Sequence, residues 1–428
     1  MTRKMKDSGI EWIGEIPEEW EVVRIKMLCK TRNGLAYSNS DLCDEDEGTL
    51  VLRASNIKEG ELTFKDNVYV NKNIPVDLMV KDGDILICST NGSKELVGKN
   101  AIIRDVKASF GAFMMVLRCD NPEMMYYILN SSLFDYHKGS FSTTTINQLT
   151  KSNLNNMKIP WSRDSKSREL ITLFLNKKNL LIEKIKNTIL KEIQTLENYK
   201  KSVITEAVTK GLDKNVEMKD SGIEWIGEIP KHWEVSKIKY NMKRMEKKNP
   251  GDKEVLSVYR EYGVIPKDSR DDNHNVTSMD TSNYKYVKPG YFVINKMKAW
   301  QGSMGVSQYE GIVSPAYYIY IFINRNIEPF YIHHLFRIVY PNEFKRISGG
   351  IREGQWDLSA NLFKNTLMTI PPLNEQNQIV DYLDKKTKLI DDSIAIKQKQ
   401  LEILEEYKKS LIYEYVTGKK EVNDGEES

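Results

Sequence analysis

Apolar residues recur at helical spacing in two widely separated stretches. Ile182, Ile185, Ile189, Ile193, Leu196, Tyr199 and Val203 step by three or four residues, which places them on one side of an α-helix. The pattern predicts a helix from about 167 to 209, on the order of 60 Å long at about 1.5 Å per residue. Ile390, Ile394, Leu401, Leu404, Tyr407 and Leu411 repeat the pattern, with Asp391 and Asp392 near the start and Lys408 and Lys409 near the end. Each helix alone is marginal in water, so the two stripes are expected to bury each other as an antiparallel coiled coil. Elsewhere the pattern shortens. Thr49 to Leu52, Asp84 to Ile87, Tyr291 to Ile294 and Tyr317 to Ile323 have strand composition and are bounded by Gly, Asn, Asp and Pro. Short helices are expected at Pro122 to Asp135 and Glu328 to Val339. The fold class expected is therefore α+β: two mixed, β-rich domains and two long helices.

An internal duplication organises these elements. Met5 to Pro17 recurs without change as Met218 to Pro230, and 18 of 22 positions are identical between 5–26 and 218–239. Tyr199 to Ile204 is matched by Tyr407 to Ile412, differing only where Leu411 stands against Val203. Between the repeated parts lie two inserts with little likeness beyond a closing Ile-Pro, Ile159-Pro160 and Ile370-Pro371. The expected divisions are a repeated segment at 1–26, an insert domain at 27–160, a long helix within 161–217, the second repeated segment at 218–239, a second insert domain at 240–372, a long helix at 373–420 and a disordered tail at 421–428. The frame gives an internal pseudo-two-fold repeat. Trp12 and Trp20 with Trp225 and Trp233 read better as staples joining each insert to this frame than as a docking surface.

Composition narrows the class. Over 428 residues, 40% apolar and 29% charged residues allow a sizeable core, and a mean hydropathy of −0.51 implies much solvated surface. No stretch has the 18 or so apolar residues of a membrane span, and Met1 to Lys4 lacks an apolar signal segment. A cytoplasmic protein without membrane contact is expected. Cys29, Cys43, Cys88 and Cys119 are too widely spaced for a disulfide framework or a zinc clip, and free buried thiols are expected. The net charge of +3 hides a local difference: residues 27–160 hold 15 basic against 16 acidic side chains, residues 240–371 hold 18 against 13.

The sequence carries no complete catalytic motif. Gly92 to Asn100 resembles a phosphate loop, but five residues separate its glycines and Asn100 stands where the magnesium-binding Ser or Thr would be. His137, His232, His274, His333 and His334 have no metal-ligand spacing. No nucleophile elbow, zinc helix, dinucleotide turn or adenine-methyltransferase motif is present. The inserts carry polar loops instead. In the first, the candidate DNA-binding residues are Arg53, Asn56, Thr90, Asn91, Lys94, Thr143, Thr144, Asn147 and Gln148. In the second they are Tyr259, Arg260, Lys296, Lys298, Trp300, Gln301, Ser348, Arg352 and Gln355. Asn and Gln can bond adenine twice and Arg can bond guanine, while Ser, Thr and Lys reach phosphates.

The repeated Lys-Asp-Ser-Gly-Ile-Glu-Trp-Ile-Gly-Glu-Ile-Pro, followed two residues later by Trp-Glu-Val, and Pro371 to Gln376 opening the second helix, resemble a type I restriction–modification specificity subunit. Gly83 to Ile87 with Asn91 to Ser93 and Leu96 to Lys99 also resembles one class of that family's recognition domains. The first helix departs from the pattern, beginning Ser165 to Leu170 without the Pro-Leu-x-Glu-Gln lead-in. The resemblance implies two target-recognition domains separated by helical spacers. It implies a non-catalytic chain that binds double-stranded DNA at a bipartite, asymmetric target, with two methyltransferase subunits and restriction endonuclease/translocase subunits as partners. No cofactor is expected on this chain, and S-adenosylmethionine, ATP and Mg are expected on the partner subunits. The competing classes are a coiled-coil adaptor and a single-chain DNA-modifying enzyme.

Overall fold

A computed structural model of the chain describes residues 3–138, 147–251, 253–260, 262–269, 280–350 and 356–422, the side chains of 137 and 138 excepted. Most of the tail expected at 421–428 lies outside the described residues. The chain divides into two compact units, residues 1–189 with 399–428, and residues 190–398.

Both long helices form, as Ser165–Lys210 and Leu373–Val416. The first needs no proline lead-in because Asp164 caps it, its carboxylate accepting from the Lys166 and Ser167 backbone N–H groups at 3.1 and 3.0 Å. In the second, the lead-in is structural: buried Gln376 accepts from the Glu328 N–H and donates to the Asn326 and Pro371 carbonyls, each at 2.8 Å. Each helix stops at a glycine with positive φ, Gly211 at +74° and Gly418 at +70°. A Cβ on Gly418 would lie 2.6 Å from the Pro17 ring, so the second helix ends short of 420.

The helices do not bury the whole of their expected stripes. Ile182, Ile189 and Val203 are buried, as are Ile390 and Leu411, whereas Ile185, Tyr199 and Tyr407 are 41%, 46% and 51% exposed. Ion pairs join the helices where the stripe is open. In the first unit Glu183 meets Lys408 at 2.9 Å and Lys186 meets Glu405 at 3.2 Å. In the second, Glu192 meets Lys397 and Lys200 meets Asp391, both at 2.6 Å. Rising numbers on one helix meet falling numbers on the other, so within each unit the segments run antiparallel.

The first unit has a four-stranded antiparallel sheet in the order Asn100–Ile102, Ile85–Cys88, Met114–Cys119, Cys29–Asn33. The second has the order Met304–Val306, Phe292–Asn295, Tyr317–Phe322, Met242–Met245, again antiparallel. Two inserts with little common sequence therefore share one sheet topology. In each, a helix packs on the sheet, Pro122–Leu129 and Pro329–Ile338. The helix expected over Pro122 to Asp135 breaks at Asn130, whose amide donates to Asn100 and to the Tyr126 carbonyl, both at 2.8 Å.

Trp20 and Trp233 act as staples: both are buried, Trp20 packing in the core of the first unit with Leu411, Tyr415 and Val416, Trp233 in that of the second with Val203, Ile204 and Val208. One expectation is corrected. Strand register sets Cys119 opposite Cys29, their Cα atoms 4.4 Å apart, and the two form a disulfide, so only Cys43 and Cys88 are free thiols. Their sequence separation of 90 hides a pairing that only the sheet creates.

Candidate nucleic-acid interface

The shared topology puts the polar loops of the two inserts in equivalent places. In the first unit the central strand Ile85–Cys88 runs out into Ser89 to Lys94. Ser89 and Thr90 donate their N–H groups to the Phe113 carbonyl at 2.9 and 3.2 Å, and Leu149 N–H donates to the Ser89 carbonyl at 2.8 Å. In the second unit the strand Phe292–Asn295 runs out into Lys296 to Gln301. Lys296 N–H donates to the Ala316 carbonyl at 3.3 Å, and Leu358 N–H to the Lys296 carbonyl at 2.9 Å. Thr150 and Ser359 then cap short helices, Lys151–Asn156 and Ala360–Asn365. Ser89 thus corresponds to Lys296, Phe113 to Ala316 and Leu149 to Leu358. The backbone frame of the two loops is common and the side chains on it differ.

In the first unit this frame gathers Thr90, Asn91, Asn147 and Gln148. Thr90 is bridged to Gln148, Asn91 N–H donates to the Asn147 carbonyl at 3.4 Å, and the Asn147 amide donates to the Gly92 carbonyl at 3.2 Å. Gln148 is exposed, as is Lys94 on a single 3-10 turn. That turn leads to a strand rather than a helix, so the stretch resembling a phosphate loop forms no phosphate cradle. Phe113, which sequence reasoning missed, stands 68% exposed beside these amides. Arg53 follows Leu52, whose carbonyl accepts from Gly111 N–H at 2.9 Å. Its guanidinium donates to the Asp66 carbonyl at 3.0 Å. Asn56 is corrected: it is fully buried, accepting from Arg53 N–H at 2.9 Å and donating to the Thr63 carbonyl at 3.0 Å, so it holds the turn and has nothing left to offer a base.

In the second unit Trp300 and Trp356 lie with ring centroids 6.0 Å apart, and the Lys345 ammonium sits 5.6 and 5.5 Å from the two rings. Lys298 is exposed and Gln301 half-buried beside them. Lys296 is not a free cation: its ammonium pairs with Asp357 at 2.7 Å. Ser348 turns inward, its hydroxyl donating to the Phe344 carbonyl at 2.6 Å. Tyr259 ends the strand Leu256–Tyr259 opposite Gly263 and Arg260 begins the turn that follows, the Tyr259 ring edge-on to Tyr262 at 6.4 Å. Arg337 reaches this turn by donating to the Arg260 carbonyl, while its own carbonyl lies against Gly302, next to Gln301. Burial and its neighbours Arg337 and His334 push His333 well below the ordinary imidazole range, and its Nδ1 accepts from Val306 N–H at 3.1 Å. Half-buried, it serves the sheet as a backbone acceptor. Thr143, Thr144, Arg352 and Gln355 lie outside the described residues.

Sequence reasoning also missed Lys285. Its ammonium donates to the Tyr317 carbonyl at 2.8 Å and lies 5.9 Å from the Tyr318 ring, over which the Arg244 guanidinium sits at 4.3 Å. Burial and then Arg244 hold its pKa below the ordinary lysine value, against the opposing pull of Glu246. Among the described residues no group of three or more His, Cys, Asp or Glu could hold a metal ion, and no helix is long and apolar enough to cross a membrane.

Comparison with known proteins gives a consistent result. The profile of the type I restriction modification DNA specificity domain matches residues 17–195 and again 230–406. The chain is 25% identical over 433 residues to the type I restriction enzyme MjaVIII specificity subunit of Methanocaldococcus jannaschii, covering 94% of this chain and 93% of that protein. It is 23% identical over 425 residues to the type I restriction enzyme EcoKI specificity subunit of Escherichia coli strain K12, covering 89% and 86%. A solved chain from a study of complex assembly and conformational transition of the type I R-M system has the same fold, with a TM-score of 0.68 at 13% identity, covering 94% of this chain and 98% of that one.

Proposed function

The chain belongs to the type I restriction–modification DNA specificity family, and from that membership we propose that it selects the DNA target of a type I restriction–modification complex and does no chemistry itself. Each unit reads one half of a bipartite, asymmetric site in double-stranded DNA. The observation that carries this reading is the pair of equivalent loops: Ser89 to Lys94 with Asn147 and Gln148, against Lys296 to Gln301 with Trp356 and Asp357. One frame presents small polar and amide side chains in the first unit and lysines with tryptophans in the second. Dissimilar side chains on a common frame suit dissimilar half-sites.

The duplicated segments 5–26 and 218–239 offer two like surfaces, which suits two methyltransferase subunits, with restriction endonuclease/translocase subunits joining them. S-adenosylmethionine, ATP and Mg then belong to those subunits, and the complex works on DNA in the cytoplasm. Sequencing the methylated positions in the native genome tests the reading. One defined sequence split by a gap, with unlike halves, is the expected result. A continuous motif, or two identical halves, would overturn it.

A further inference from the structure

Three cations crowd the edge of the second unit's loops, and two carboxylates answer them. Arg244 pairs with Glu246 and Lys296 pairs with Asp357. Lys285 has the Tyr317 carbonyl and, among the described residues, no carboxylate partner. That carbonyl follows Ala316, the residue that receives the Lys296 N–H, so the ammonium is fixed at the rim of the reading loop. Further positive charge lies close by: Lys247 and Lys288 sit 5.3 and 5.8 Å from the ring of Tyr286, the residue after Lys285, and Lys248 is bridged to Lys285. A partly buried ammonium beside two other cations is costly unless an anion completes the set.

We propose that Lys285 binds a backbone phosphate of double-stranded DNA beside the second unit's reading loops, a role that rests on the DNA-specificity reading above. The ligand is a phosphodiester oxygen, which a lysine meets as a point charge without reading sequence. Lys296, already paired, is not that contact.

The test is the salt dependence of DNA binding by the full chain reconstituted with its methyltransferase subunits, on the mapped target and on random duplex. Each lost phosphate contact lowers the log–log slope by about 0.9, so between 50 and 200 mM salt the loss of affinity should be about three- to fourfold smaller in Lys285→Met than in the wild type. Lys285→Arg should keep the wild-type slope. Duplexes carrying one neutral methylphosphonate at a time should reveal one position in the second half-site at which the wild type loses affinity and Lys285→Met does not. Inorganic phosphate at constant ionic strength should leave binding unchanged; displacement that depends on Lys285 would assign the site to free phosphate and overturn the proposal. An unchanged slope in Lys285→Met, or equal losses in the Met and Arg variants, would show that the ammonium only anchors the Tyr317 carbonyl. If the wild type prefers no target over random duplex, the specificity reading fails, while the slope on random duplex still decides the role of Lys285.

Discussion

Asp84 is 1% exposed, yet it carries a full set of partners: Arg118 donates to both of its oxygens at 2.7 and 2.6 Å, and Lys81 N–H donates at 2.8 Å. Removing it leaves a guanidinium that is only 33% exposed without its carboxylate. Asp84→Ala should destabilise the first unit by about 2–3 kcal/mol, read as a fall in urea midpoint, and Arg118→Met in the same chain should recover part of the loss. His334 gives a pH signature to the second unit. Burial, then Arg337 and Lys200, lower its pKa to about 4 from 6.5. Between those values the unfolded chain holds the proton and the folded chain does not, so stability is full above pH 6.5 and falls as pH drops towards 4. His334→Leu should flatten that limb of the urea-midpoint profile by roughly 1–3 kcal/mol relative to the wild type. Single residues were the least legible feature of the sequence. Asn56 and Lys296 had the right chemistry but spend it on the protein, while Lys285 sits in an ordinary lysine-rich stretch and reaches the site only through strand pairing. Cys29 and Cys119 were misread for the same reason.

The long helices were legible almost to their ends, because helical periodicity is local and needs no partner to be seen. The first was expected at 167 to 209 and spans Ser165–Lys210; Asp164 and Gly211 set those limits. Both helices pass without interruption from residues of one unit into residues of the other. On the proposed reading, in which each unit reads one half-site, helix length sets the gap between half-sites. Inserting Leu-Glu-Ala-Lys after Lys191 lengthens the first helix by about 6 Å, against roughly 3.4 Å per base step. The mapped gap should grow by one or two base pairs with both half-site sequences unchanged, provided the variant still binds its methyltransferase subunits. An unaltered gap in a variant that still assembles would reduce the helices to supports. The ion pairs Glu183–Lys408 and Lys200–Asp391, where a continuous apolar seam was expected, make such a shift in register easier to absorb.

At the scale of the molecule, the duplication was plain from 18 identities in 22 positions, but the kinship of the inserts was not. Sheet order depends on pairings such as Ile85 with Leu117 and Phe292 with Tyr320, between residues far apart in sequence, and alternating apolar residues fix strands without fixing neighbours. What the structure adds is that both inserts present different side chains on one backbone frame. Modular specificity follows, since a frame held by backbone bonds does not depend on which side chains it carries. The most direct measurement is to exchange residues 240–371 for the corresponding insert of a related specificity subunit and to map methylation in cells that carry the chimera. One half of the recognised sequence should change while the other half and the gap stay as they were. A map in which both halves change, or neither does, contradicts the assignment of one half-site to each unit.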